Sequence, residues 1–182
     1  MITSLVSKVR LQSPHLARRA ALAATLAATL GALAVVTGCT RNEAAPAFDY
    51  TLLDGSRHSS AALRGQVLML NFWATSCAVC VNEMPELAAT HRQFAAQGLQ
   101  TLAVAMQYDA PALVADFTEK RGLPFGVVID NTGAVARAFG DVKATPTTLL
   151  VNRAGRIVWR HEGAPSFAQL RSRIAQLLAE SA

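Results

Sequence analysis

Between residues 48 and 178, short apolar runs alternate with stretches of helical spacing. Val67 to Phe72 is almost continuously apolar, and so is Leu99 to Met106; such runs predict strands buried on both faces. Phe48 to Leu53 predicts a strand closed by an Asp54-Gly55 turn, and Ser59 to Leu63 a short helix stopped by Gly65. A long helix is predicted from about Cys77 to Gln97, with Gly98 just past its end. Pro111 to Lys120 predicts a helix with proline in its first turn. Phe125 to Ile129 predicts a strand, Asp130 to Gly133 a turn, and Val135 to Phe139 a short helix. Thr147 to Val151 and Ile157 to Arg160 predict a hairpin joined by Asn152-Arg153-Ala154-Gly155. Ser166-Phe167-Ala168-Gln169 fits a capping box opening a final helix to about Leu178. Strands alternating with helices imply an α/β domain with a mainly parallel sheet covered on both faces, to which the closing hairpin and helix add an antiparallel edge.

The 182 residues suit one domain with a real core. The net charge of +5 invites a nucleic-acid reading, but four of the 17 basic residues and none of the 12 acidic ones fall in residues 1–38. The remainder is nearly neutral and shows no basic run interleaved with aromatics, so no nucleic-acid partner is expected. In the leader, Lys8, Arg10, Arg18 and Arg19 precede the Ala/Leu-rich stretch Ala20 to Val36 and then Val36-Thr37-Gly38-Cys39. This is the pattern of a bacterial secretory signal with a lipobox, in which Cys39 is lipidated and becomes the mature N-terminus. An uncleaved inner-membrane anchor is the alternative, although an alanine-rich run of this length is near the minimum for a span. The division expected is residues 1–38 as signal, 39–47 as lipidated tether and 48–182 as folded domain. The domain then lies on the periplasmic side of a bacterial membrane, and Thr40 in place of aspartate after Cys39 favours the outer membrane.

Three cysteines are present: Cys39, and the pair Cys77 and Cys80. The pair follows a predicted strand and opens a predicted helix, where free backbone N–H groups and the helix dipole favour a thiolate. Three positions apart, the two side chains share a face. Cys77 is expected at the exposed end as the attacking thiolate, and Cys80 further in as the resolving thiol. A loop this short gains little as a structural staple. Zinc would need two more ligands, while no cysteine remains and His58, His91 and His161 are scattered. Haem attachment would need histidine after Cys80, where Val81 stands. Thiol–disulfide exchange needs no cofactor, and none is expected.

Asn71-Phe72-Trp73-Ala74-Thr75, the CxxC, Glu83-Met84-Pro85-Glu86-Leu87 and Ala144-Thr145-Pro146-Thr147 resemble the TlpA/ResA-like branch of the thioredoxin superfamily. The resemblance runs from about Phe48 to Leu178 and includes a helix–strand insertion between Tyr108 and Asp130. It implies a thioredoxin-like fold: a central mixed sheet with helices on both faces and an N-terminal strand extension. It implies that Pro146 is the cis-proline beside the dithiol, with Thr145 pairing to an extended substrate segment; an ordinary trans proline opening a strand is the alternative. Trp73 is expected near the active site as a substrate-binding residue, or else as a core aromatic. Glu83, one turn after Cys80, is expected to influence thiol ionisation and accept a proton, or else simply to favour the helix dipole. Pro85 should kink the helix by removing its bond to the Val81 carbonyl. Ser76 stands where the family usually has tryptophan, and Val79 where it often has proline.

The activity implied is disulfide reduction in extracytoplasmic proteins, with electrons supplied by a membrane thiol–disulfide carrier; apocytochrome c is the family's best-known client. A dithiol oxidase is the reverse reading, and the departures at Ser76 and Val79 leave the direction open. A copper-binding chaperone on the same fold would use the two thiolates, but lacks the longer cysteine spacing and histidine of that group. A peroxiredoxin is disfavoured, since Leu70 and Ala74 occupy its proline and threonine positions.

Overall fold

The computed structural model describes residues 43–180. The expected signal, Cys39 and the start of the tether lie outside the described residues. The strands are β1 (Glu43–Ala44), β2 (Asp49–Thr51), β3 (Arg57–Ser59), β4 (Val67–Trp73), β5 (Leu99–Ala105), β6 (Gly126–Ile129), β7 (Thr147–Val151) and β8 (Arg156–Glu162). The α-helices are α1 (Ala78–Phe94), α2 (Pro111–Arg121), α3 (Ala134–Ala138) and α4 (Phe167–Ala179). Six strands form one sheet in the order β1-β8-β7-β4-β5-β6, and β2 pairs with β3 in a separate hairpin.

Every residue of β4 is buried, because successive side chains enter two different cores. Val67, Met69 and Trp73 pack with Met84, Leu87 and Phe94 of α1, Val114 of α2 and Leu170, Ile174 and Leu177 of α4. Leu68, Leu70 and Phe72 pack on the opposite face with Phe48, Tyr50, Val135 and Phe139. The sheet is thus covered on both faces, and its strand β4 carries the chain directly into the CxxC.

The sheet is mixed, as the resemblance implies: its parallel part is β4-β5-β6, and the closing hairpin β7-β8 adds the expected antiparallel side, which β1 extends. β4–β5 and β5–β6 are parallel, whereas β4–β7, β7–β8 and β1–β8 are antiparallel. An apolar run marks a segment as a buried strand, but its spacing does not say which way a neighbour runs. Here β7 joins the side of β4 away from β5.

Smaller differences have local causes. The segment read as a tether includes β1, which pairs Glu43 with Ile157, and the Ala45 N–H donates to the Gly155 carbonyl at 2.8 Å. These bonds cover what would be an open β8 edge. The strand predicted over Phe48 to Leu53 is one arm of a hairpin whose other arm, Arg57-His58-Ser59, is polar throughout. The short helix after it is a 3₁₀ turn over Ser60–Leu63, capped by the Ser59 hydroxyl. α1 passes through Pro85 and closes in a 3₁₀ turn at Gly98, whose φ of 103° suits glycine. Ser166 is the N-cap of α4, but its side chain makes no capping bond, so the expected capping box does not form.

Candidate active site: the CxxC at the start of α1

Strand register assembles the site at one end of the sheet. Trp73 ends β4 opposite Ala105 of β5, and Phe72 pairs with Thr147 of β7. The loop after β4, the loop after β5 and the Thr145-Pro146 segment before β7 therefore emerge at the same edge. Ligand sites of open α/β sheets sit outside the carboxyl ends of the parallel strands.

Cys77 is the N-cap of α1, and its sulfur accepts the Cys80 N–H at 3.2 Å. No acidic residue occupies the first turn, so nothing there offsets the helix dipole. Cys77 is half-buried and Cys80 completely buried, as their spacing implied. The two sulfurs are bonded to each other, with Cα atoms 5.2 Å apart. The structure is therefore the oxidised form, and on reduction the N–H at Cys77 would favour its thiolate. Ser76 and Val79 are both exposed beside it, Val79 to 49 %.

Glu83 follows one turn later on α1 and is 4 % exposed. Its Oε1 accepts the Asn71 Nδ2–H at 3.0 Å, and the same amide nitrogen donates to Thr148 Oγ1 at 3.0 Å. Asn71 projects from β4 on the face of Met69 and Trp73, toward α1, and its cross-strand partner is Thr148. Glu83 Oε2 and Asn71 Oδ1 are buried with no hydrogen-bond partner. Burial pushes the Glu83 carboxyl up to about 7, and the Asn71 bond opposes that rise. A carboxyl in this state can hold or release a proton near neutral pH.

The Thr145–Pro146 bond is cis and Pro146 is buried. The Pro146 carbonyl accepts the Gly163 N–H at 2.8 Å, and the Thr147 hydroxyl donates to the Ala144 carbonyl at 2.7 Å. Of the two readings of Trp73, substrate contact or core aromatic, its position fits the core aromatic. It is wholly buried, its ring lies 5.1 Å from that of Phe117, and it presents no surface at the site. Cys39 lies outside the described residues.

Sequence reasoning missed Asn71 as a partner of Glu83, although it is the single polar residue in the run Val67–Trp73. It also missed Asp109. Both oxygens of this buried carboxylate bind Thr75, accepting the N–H at 2.6 Å and the hydroxyl at 2.5 Å. That clamp holds the loop between β4 and Cys77, with the Cys77 N–H on the Ala74 carbonyl at 3.1 Å. Asp109→Ala should cost about 2–3 kcal/mol, because bonds to a charged acceptor are lost and the Thr75 N–H is left unpaired. Urea unfolding checks this through a lower midpoint at unchanged slope; a midpoint equal to wild type would show that the clamp adds nothing.

Residues 40–175 match the Redoxin family. The thiol-disulfide oxidoreductase ResA of Geobacillus thermodenitrificans is 38% identical over 125 residues, covering 68% of each chain. ResA of Bacillus subtilis is 35% identical over 114 residues, 63% of each chain. The crystal structure of a thiol:disulfide interchange protein of the thioredoxin family from Chlorobium tepidum superposes with a TM-score of 0.71 at 26% identity, covering 77% of this chain and 99% of that one. A dithiol at a helix start, a cis-proline at the same sheet edge and these likenesses converge: the chain belongs to the redoxin family, in the TlpA/ResA-like branch of the thioredoxin superfamily, and is a thiol–disulfide oxidoreductase.

Proposed function

We propose that this oxidoreductase works in the reducing direction on disulfides of extracytoplasmic proteins, held at the periplasmic side of a membrane through lipidated Cys39. The observation that carries the reading is the asymmetry of the dithiol. Cys77 is reachable and has an N–H on its sulfur, while Cys80 is buried one turn from an acid pushed up to about 7. In the reduced protein the Cys77 thiolate attacks one sulfur of a substrate disulfide. The substrate S–S bond breaks, the first substrate thiolate leaves and takes a proton, and a Cys77–substrate disulfide forms. Cys80 then gives its proton to Glu83, and its thiolate attacks the Cys77 sulfur. The second substrate thiolate leaves and is protonated in turn, and the Cys77–Cys80 bond forms. Two electrons pass from the protein to the substrate.

A membrane thiol–disulfide carrier restores the dithiol, as the family resemblance implies, and apocytochrome c is the client that the resemblance favours. Thr145, beside cis-Pro146, offers backbone to an extended substrate segment. The lipid anchor rests on the leader sequence. No helix among the described residues is long and apolar enough to cross a membrane.

The reduction potential tests the direction. Equilibration of the full chain against redox buffers is expected to give a value nearer about −270 mV, that of a reducing thioredoxin, than about −120 mV, that of a strong periplasmic oxidase. A value at the oxidising end would reverse the proposed flow, since about 30 mV is a tenfold change in equilibrium constant.

A further inference from the structure

Tyr108, in the loop after β5, is 60 % exposed, although Met106 and Asp109 on either side of it are buried. Its hydroxyl lies 3.5 Å from that of Thr145. The side chain thus reaches from the β5–α2 loop to the residue that precedes the cis-proline. Beside it opens a cavity of about 250 Å3. Buried Met106, Ala136 and Val142 give it an apolar floor, and Tyr108 forms one wall. Arg137 and Lys143 stand at the rim. Lys143 pairs with Asp141 at 3.1 Å, and Arg137 donates to the Thr132 carbonyl at 2.9 Å, so two cations face one carboxylate there.

We propose that this cavity is a specificity subsite for one side chain of the protein substrate, that of the residue beside the reacting cysteine, and that it selects a large apolar residue against a basic one. The proposal rests on the reading of the dithiol as a site for protein disulfides. The cavity is smaller than the roughly 300–1,000 Å3 typical of small-molecule sites, so it suits a single side chain. It is continuous with the substrate-pairing edge, because its Tyr108 wall touches Thr145. A segment extended along Thr145 advances about 3.3 Å per residue with side chains alternating in direction. A neighbour of the reacting cysteine then falls over Tyr108. A tyrosine ring loses little freedom on binding and is a common interface anchor. The positively charged rim repels lysine or arginine at the same position.

The test uses the reduced full chain and two peptides that differ only in leucine or lysine beside a cysteine, each held as a mixed disulfide with 2-mercaptoethanol. The wild type is expected to favour the leucine peptide about tenfold in kcat/KM. Tyr108→Phe should retain that ratio, and Tyr108→Ala should bring it close to one; the position is exposed, and circular dichroism checks that both variants keep the fold. A wild-type ratio near one, or a ratio that Tyr108→Ala does not move, overturns the subsite. Reduction of 2-hydroxyethyl disulfide, which has no side chain to seat, separates the two readings. If the wild type reduces it without discriminating between the peptides, the subsite alone fails. If it reduces none of the three, the reading of the dithiol fails as well.

Discussion

A Cys80→Ser variant is expected to stop turning over and to accumulate on its substrates as a mixed disulfide through Cys77. The argument is one of access and geometry. Cys80 is completely buried on the core-facing side of the first turn of α1, whereas Cys77 sits half-buried at the helix start. A bulky protein disulfide can therefore meet only Cys77. Once the mixed disulfide forms, resolution needs a second sulfur close by, and the Cα separation of 5.2 Å places Cys80 within bridging distance. A serine hydroxyl at that position does not ionise near neutral pH and cannot displace the substrate. Turnover should fall on the order of 10³-fold or more, the scale of losing a covalent-catalysis group, while the first attack survives. Expressed in its own cells and resolved without reductant, the variant should run as adducts whose captured partners mass spectrometry can identify. Cys77→Ser should form none. If Cys80→Ser gives no adduct although Cys77 remains alkylatable, the exchange mechanism is wrong.

Much of this chemistry is legible in the chain because it is local. The CxxC, the apolar run before it and the helical pattern after it lie within about thirty residues, and spacing alone puts the two sulfurs on one face. The family motif added the cis-proline, which no local pattern distinguishes from a trans one. The partners that β4 brings in were harder to see. Asn71 stands out as a polar residue in a buried run, but its bond to Glu83 requires knowing that α1 lies over that face of β4. Its bond to Thr148 requires β7 as the antiparallel neighbour of β4. Periodicity reports burial and leaves strand order open. β3 fails for another reason: Arg57-His58-Ser59 has no apolar alternation and is a strand only because it pairs with β2. For Trp73 the sequence left substrate binding and core packing both open, and its complete burial in the structure favours the second.

Glu83→Gln is expected to stabilise the oxidised protein at pH 8 and to leave it unchanged at pH 4. The wild-type carboxyl is pushed from 4.5 to about 7 by burial, against the opposing Asn71 bond. Its folded value thus lies above its unfolded one. Below about pH 4.5 both states hold the proton and the group contributes no difference. As pH rises through the folded value, the native state must either keep a proton that the unfolded chain releases or bury a carboxylate. Stability is therefore lost between about 4.5 and 7, and at about 1.4 kcal/mol per pH unit the loss reaches about 3 kcal/mol. Glutamine keeps the shape and the acceptor for Asn71 but has no proton to lose. Half-buried His91 acts in the opposite sense, because partial burial and the neighbouring Arg92 hold its value below the ordinary one. It favours the fold as pH rises, and it does so equally in both proteins. The difference in urea-unfolding free energy between variant and wild type, followed from pH 4 to pH 8, isolates Glu83; a constant difference would show that the carboxyl does not titrate in this window. In the reduced protein the same substitution removes a negative charge one turn from Cys80 and should move thiol alkylation to lower pH. An alkylation profile identical to wild type would take Glu83 out of the proton transfer and leave it as a buried structural acid.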